Sequence, residues 1–377
     1  MNFSADISRW VKAHHEEHLQ LLLDLAQIPA PSNHEEKRAE FCKNWLQANG
    51  SKGVYIDDAL NVIWPLNVTE DTPLFVFAAH SDVVFPDTEL LPLRVEDGRI
   101  FCPGVGDDSA SVATLMMAAK YIAEMELCPK DCGLLIVIDS GEEGLGNLKG
   151  IRRLFDSFDG RIRQFVSFDG EECRCVNRAV GSRRYRITID TKGGHSYASF
   201  GNPNAIACLA SVIEDLYSVK VPPLGKTTYN VGMVCGGTSV NTIAQHAEML
   251  YEFRSDEAEA LSIMQQNMDS ILQAHQEKGI SVNIELVGQR PCSSNVNQIV
   301  MSEMIDRAKA ATERHYGSPL TLSSGSTDCN IPLSMGIPSL CLGCYRGNGA
   351  HTREEYVEAD SLAPGLNFVM EIILYHF

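Results

Sequence analysis

The sequence has no block of lysine and arginine. Its 31 Lys and Arg are outnumbered by 49 Asp and Glu, giving a formal net charge of −18. A nucleic-acid or anionic-membrane partner is therefore not expected. No apolar run is long enough to span a bilayer, and the opening stretch MNFSADISRWVKAHHEEH has no apolar signal core. The expectation is a cytoplasmic protein with no membrane partner. A paired C-x-x-C set is also missing. Cys341 with Cys344 and Cys173 with Cys175 are isolated pairs among 12 scattered cysteines, which argues against a structural zinc knuckle. Small buried thiols in a reducing compartment are expected, with Cys208, Cys235 and Cys341 inside apolar segments. There is no G-x-S-x-G elbow, no Rossmann glycine spacing and no G-K-[ST] loop, which sets aside a serine hydrolase, a dinucleotide fold and a phosphate loop. The stretch His14-His15-Glu16-Glu17-His18 lacks the H-E-x-x-H interval and reads as a surface helix face. Repeats and low-complexity tracts are absent.

What is present is an ordinary globular composition, 44% hydrophobic and 21% charged, over 377 residues. That length suits two domains. Residues 5–28 read as one amphipathic helix. Ser32 and Glu35 have the spacing of a capping box for a second helix to about Gln47. LFVFAAHSD, CGLLIVIDS and RQFVSFDG read as short buried strands alternating with helices, the pattern of a mostly parallel sheet covered by helices. From about residue 183 the pattern changes. RRYRITID, TTYNVGMVCGG, AEMLYEFRS and ISVNIELVGQRP alternate as half-exposed strands do, with helical stretches after the first and third. That βαββαβ order is a ferredoxin-like unit. The expected organisation is a discontinuous domain over 1–182 and 292–377, interrupted by an inserted domain over 183–291.

Polar residues collect where the apolar strands stop. His80 and Asp82 end one strand, and Asp107 and Asp108 sit in the turn before a helix. Glu142 and Glu143 follow GLLIVIDS, Asp169 ends a fourth segment, and His351 follows the last. In open α/β sheets, ligand sites gather outside the carboxyl ends of the strands. So many carboxylates at one edge would repel one another unless a divalent cation sits among them. Mixed His and carboxylate donors without cysteine favour zinc, with cobalt or manganese as substitutes. The adjacent glutamates then divide the labour, one as a ligand and the other as a general base toward water, whose pKa zinc lowers to about 7. Asp82 can accept the other ring N–H of His80 and fix its tautomer.

At these residues the sequence resembles the co-catalytic dizinc exopeptidase and amidohydrolase family. Its members include peptidase T, glutamate carboxypeptidase, acetylornithine deacetylase, succinyl-diaminopimelate desuccinylase and aminoacylase. The matching stretches run almost end to end: HSD, GVGDD, SGEEG, FDG, GGHS, GGTSVNTI, EFRS, SGSTDCN and GAHTREE. The wording is most similar to peptidase T-like members.

The resemblance implies a zinc-exopeptidase-like sheet domain with an inserted lid and dimerisation domain. It implies two metal ions bridged by Asp107, with His80 and Asp169 on one and Glu143 and His351 on the other. Glu142 would be the general base, and a non-proline cis peptide would join Asp107 to Asp108. His195 would stabilise the oxyanion in the partner subunit's site, which implies a homodimer through the lid. Asn241 and Arg254 would hold a substrate carboxylate or carbonyl, and Gly325, Ser326 and Thr327 would contact substrate main chain. The substrate would be a short peptide or an N-acyl amino acid. Two positions depart from many relatives: Val83 stands where Thr is common, and Ser109 where Lys is common. Neither is an implied ligand.

Overall fold

Four strands, Gly133–Asp139, Leu74–His80, Ile162–Phe168 and Ser339–Leu342, lie side by side and parallel in the computed structural model, which describes residues 5–377. They are the centre of an eight-stranded sheet. Val62–Leu66 and Arg174–Ala179 join its two sides antiparallel, with Tyr55–Ile56 and Thr321–Gly325 outermost. Every residue of GLLIVID is buried, and all but one of LFVFAAH. Unbroken apolar runs of this kind suit a parallel strand covered on both faces, where no polar alternation is needed. The helix Ser111–Glu124 packs on the sheet and is buried from Ser111 to Ile122 because its residues are mostly small or apolar, with Lys120 neutralised by Glu17. Gln298–Tyr316, Leu362–Leu374, Glu36–Ala48 and His15–Ala26 are further helices of this unit.

The chain divides into two compact units, Met1–Arg178 with Ser294–Phe377, and Ala179–Ser293. Residues 1–4 of the expected first segment lie outside the described residues. The second unit is a four-stranded antiparallel sheet in the order Thr227–Gly236, His246–Ser255, Gly181–Asp190, Ser281–Arg290. Its helices are Ala205–Tyr217 and Ala258–Glu277. This is the ferredoxin-like order. Along His246–Ser255 the odd-numbered residues Met249, Tyr251 and Phe253 are buried with Leu209, Val212 and Met264, while the even-numbered ones stand on the other face.

Four local expectations need correction. Residues 5–28 form two helices, Ala5–Ala13 and His15–Ala26. His14 leaves helical geometry, its ring stacked on Trp10 and its Nδ1 bonded to the Trp10 carbonyl at 2.8 Å. His18 is not on a surface face. It is buried beside Thr114 Oγ1 at 3.2 Å, and burial lowers its pKa to about 3. The capping box does not form: the helix Glu36–Ala48 has no side-chain cap, because Ser32 is used elsewhere. Cys235 is exposed on an outer strand, although all 12 cysteines are free as expected.

Candidate metal centre

The carboxyl ends of the central strands carry the polar cluster. Leu74–His80 and Gly133–Asp139 are in register, so His80 stands opposite Asp139. The chain after Asp139 turns at Gly141, whose φ of 70° is a backbone setting that glycine adopts without a Cβ clash. That turn brings Glu142 and Glu143 back over the strand end. Asp82 fixes them there. Its Oδ1 accepts from Glu142 N–H and its Oδ2 from Glu143 N–H, both at 2.9 Å, and Ser32 Oγ donates to Oδ2 at 2.6 Å. The expected role of Asp82 is thus refined. His80 Nδ1 lies closer to the Asp82 carbonyl, 3.1 Å, than to its carboxylate, 3.5 Å. The Asp82 carboxylate chiefly anchors the two-glutamate turn.

Asp107 arrives from the opposite side, in the turn Val105–Ala110, and the peptide joining it to Asp108 is cis. Its Oδ1 is 3.1 Å from His80 Nε2, and its Oδ2 is 3.1 Å from His351 Nε2. His351 Nε2 is also 3.1 Å from Glu143 Oε1. His351 sits at φ 65°, a left-handed setting uncommon for a non-glycine residue. Such outliers collect at functional sites. Donor atoms of His80, Asp107 and Glu143 lie within 4.8 Å of one another, and so do those of His80, Asp108 and Asp169. Two donor triads therefore share His80.

The electrostatics have the imprint of too many carboxylates in one place. Burial drives the Asp169 pKa well above the ordinary value, and the Asp107 charge adds to the effect. Burial also lifts Glu143 to about 7 against the bond from His351, with repulsion from Asp107 and Glu142 adding to the rise. Burial raises Asp108 in the same way, and its Oδ1 has no partner. The two imidazoles respond in the opposite sense. Burial alone would lower His80, but hydrogen bonds to Asp107 and Asp82 hold it well above 6.5. Bonds to Asp107 and then Glu143 raise His351 to about 10. Hard oxygen donors, two imidazoles and an orphaned buried carboxylate oxygen fit one or two divalent cations.

The structure adds residues to which sequence reasoning gave no role. Glu355 is buried, and its carboxylate accepts from the N–H groups of Gly104, Gly106 and Asp107 at 2.8–2.9 Å. It ties the segment after His351 to the turn that aims Asp107. A signal existed: Glu354-Glu355 repeats the doubled glutamate of 142–143, and here too the members divide. Glu354 is exposed and pairs with Arg94 at 2.7 Å. Asp139 and Asp328 form a buried carboxyl pair, and burial raises both, Asp139 to about 7. Nothing in IDS or STDCN marks them in advance.

Gly325, Ser326 and Thr327 form the turn after the strand Thr321–Gly325. Thr327 is buried and knotted to the following helix, accepting from Cys329 N–H at its hydroxyl and donating its own N–H to Asn330 Oδ1 at 2.8 Å.

The remaining expected site residues belong to the smaller unit. His195 lies in the two-residue strand Gly194–His195, paired with Thr242–Ile243. Its Nδ1 accepts from the N–H of Tyr197 at 3.2 Å and of Ala198 at 3.4 Å, so in the neutral ring the proton sits on Nε2, as an exposed donor. Asn241 is beside it: its carbonyl accepts from Ser196 N–H, and its Oδ1 from Ser239 Oγ at 2.8 Å. Arg254 is not with them. It pairs across the sheet with Ser182, eight residues beyond His246, or roughly 26 Å along the strand at about 3.3 Å per residue. Its fork is held by Glu252 at 2.9 and 3.0 Å, and Arg184 shares that carboxylate at 3.3 Å.

Known proteins resemble this chain over most of its length. The uncharacterised protein YqjE of Bacillus subtilis is 26% identical over 375 residues, covering 94% of this chain and 97% of its own. Succinyl-diaminopimelate desuccinylase of Corynebacterium glutamicum is 24% identical over 350 residues, 90% of this chain and 91% of that one. A tripeptidase from Staphylococcus aureus has the same fold, with a TM-score of 0.75 at 24% identity over 95% of this chain and 97% of that one. The model of peptidase family M20/M25/M40 matches residues 76–375, a span that runs from the His80 strand through His351 to the last helix. With that span matched, and the polar strand ends inside it, the chain is a metallohydrolase belonging to peptidase family M20/M25/M40.

Proposed function

We propose that the protein is a dizinc exopeptidase of the peptidase T type, acting on short peptides. The observation that carries the reading is the pair of donor triads sharing His80, with Glu142 held beside them by Asp82. In this reading His80, Asp107, Glu143, Asp169 and His351 hold two divalent ions, zinc in the first place and cobalt or manganese as substitutes. Bound there, the ions would polarise the scissile carbonyl and acidify a water molecule. Glu142 takes the proton of the attacking water and hands it to the leaving amine nitrogen. Asp82 keeps Glu142 and Glu143 from exchanging places by clamping both of their N–H groups. His195 Nε2–H donates to the carbonyl oxygen as it gains charge. Asn241 and Arg254 hold a substrate carboxylate or carbonyl, and Gly325, Ser326 and Thr327 lie along its main chain.

The smaller unit is proposed as a lid that pairs two subunits. Two observations support this. His195 lies in the two-stranded sheet of Gly194–His195 and Thr242–Ile243, while Arg254 lies near the far end of His246–Ser255 in the four-stranded sheet, a separation that favours delivery of His195 to a second subunit. Tyr197, Phe200 and Val240, flanking His195 and Asn241, are 89%, 89% and 102% exposed, an apolar surface suited to a partner. The twelve free cysteines fit a cytoplasmic setting. No helix among the described residues is long and apolar enough to cross a membrane.

A second reading keeps the site and changes the substrate: hydrolysis of an N-acyl amino acid, as the name of the desuccinylase relative says of that protein. A non-catalytic metal-binding role is a remote third, and the intact Glu142 argues against it. One panel separates them. Amine release is followed on di- and tripeptides with free N-termini, on their N-acetylated forms, and on simple N-acyl amino acids. Cleavage of the free-amine peptides alone supports the peptidase; cleavage of acylated compounds alone makes the protein a deacylase. Silence with metals bound would overturn both.

A further inference from the structure

A cavity of about 460 Å³ lies against the central sheet, away from the polar cluster. Its floor is three pairs of residues from adjacent parallel strands: Phe75 and Phe77, Gln164 and Val166, Leu340 and Leu342. These are in register, Phe75 opposite Gln164, Phe77 opposite Val166 and Leu340 opposite Val166, so they share one face. The helix Gln298–Tyr316 and the end of the chain wall it. We propose that this cavity is a second small-molecule site, taking a monoanionic amphiphile: one carboxylate on a medium-length aliphatic or aromatic body.

Size and chemistry both favour this. Ligand pockets run from about 300 to 1,000 Å³ and combine an apolar lining with a few polar groups. Here the floor is mostly apolar, and the polar groups leave one net positive charge. Arg314 and Glu371 line the cavity as an ion pair, and His315 Nε2 also meets that carboxylate at 2.7 Å. Arg307 is different. Its guanidinium lies 4.1 Å over the Tyr375 ring and reaches Gln164 Oε1 only at 3.5 Å. Among the described residues it pairs with no carboxylate. His376 packs against Phe75 and Phe77, at 4.6 and 5.7 Å between ring centres. Burial, and then the Arg307 charge, lower its pKa to about 4, so it adds polarity without charge near neutral pH. A planar fork stacked on an aromatic ring, above an apolar floor, suits a carboxylate with a hydrophobic tail. The site is separate from the chemistry: Phe75 and Phe77 precede His80 by five and three residues on one strand, roughly 17 and 10 Å.

The test is calorimetric titration of the full-length, metal-loaded protein with octanoate, 3-phenylpropionate and neutral 1-octanol. Two variants accompany it, Arg307→Met and Ala310→Trp; Ala310 is an exposed lining residue, so the bulk fills the cavity without crowding the core. Turnover on a cleaved substrate and the thermal melt serve as folding controls. The expected result is saturable binding of at least one of the two carboxylates. Arg307→Met weakens it about tenfold or more, the scale of a charge-assisted hydrogen bond, and leaves octanol unchanged, while Ala310→Trp weakens all binding. Carboxylate binding that both variants leave untouched would place those ligands elsewhere, the metal centre included, and overturn the proposal. Absence of binding by either carboxylate at millimolar concentration would overturn it as well.

Discussion

The strand ends around His80 and the tip of the smaller unit around His195 make an instructive pair. At the first, His80, Asp82 and Asp108 are fully buried and fixed by hydrogen bonds within the protein, with Asp108 Oδ1 left without a partner. At the second, His195 and Asn241 are exposed, held only by short local bonds, and bordered by bare aromatic and aliphatic side chains. A pre-built cluster is what chemistry needs, because its groups must not reorganise during reaction. An exposed donor on a small platform is what recognition needs, because it completes its bonding only when substrate or a partner arrives. On the proposed reading, the metal-held chemistry is thus built on one unit of the chain and the oxyanion and substrate contacts on the other.

That contrast can be broken at either end. Asp107→Asn should have the largest effect. It removes the carboxylate that touches both His80 and His351, so turnover should fall to background and metal content, measured by mass spectrometry after dialysis, should drop. His195→Gln should spare the metal site: kcat down by about 10²–10³, the scale for one oxyanion donor, with metal content unchanged. Loss of metal in the His195 variant would erase the distinction. A mixed dimer of Glu142→Gln and His195→Gln subunits sharpens it further. If His195 serves the partner's site, the mixture regains part of the activity that neither variant has alone.

Glu355→Gln is subtler. It touches no proposed ligand's side chain, yet its bonds from the backbone N–H groups of Gly104, Gly106 and Asp107 set the Asp107 turn. A loss of about 10–100-fold in metal affinity is expected, the usual cost of removing such a support, with a normal fold by circular dichroism. Unchanged affinity would reduce Glu355 to packing.

The smallest effect is on stability against pH. In the metal-free protein Asp139 and Glu143 titrate at about 7, above their ordinary 3.8 and 4.5, and His351 at about 10 instead of 6.5. Each raised group stabilises the fold fully below its unfolded pKa and loses that contribution as pH climbs through its folded pKa. Asp107 and Asp82 are depressed, so their contribution fades only at acid pH, below this window. His18 and His376, lowered to about 3 and 4, oppose the trend below their ordinary 6.5, but the raised carboxyls Asp108, Asp139, Glu143, Asp169, Asp328 and Glu355 outnumber them. The melting temperature of the metal-free protein should therefore fall from about pH 4.5 to pH 8. Saturating metal, which binds the deprotonated ligands, should flatten or reverse the slope. A metal-free melt that rises across this window would contradict the assignment.

Much of this could be read in the sequence, for physical reasons. Apolar runs such as LFVFAAH and GLLIVID announce buried strands because they are too short for a buried helix and rich in β-branched and aromatic residues. The polar residues that stop them are conspicuous for the same reason. The alternation in AEMLYEFRS likewise marks a sheet with one covered face. What stayed hidden was long-range pairing. Ser32 has the spacing of a helix cap, yet it bonds Asp82, fifty residues on. Glu355 looks like half of a surface pair, yet it is buried under a turn some 250 residues earlier. Arg254 reads as a fork awaiting a carboxylate, and Glu252, two residues before it, already fills that fork. In each case local sequence fixes the residue type, and only tertiary structure chooses its partner.

The most direct measurement pairs metal stoichiometry with turnover in wild type and Glu142→Gln, on the same preparations and the same cleaved substrate. The account predicts two divalent ions per chain in both proteins, with turnover about 10³-fold lower or less in the variant, within the range a positioned general base supplies. Full turnover by the variant, or failure of both proteins to hold metal, would contradict it.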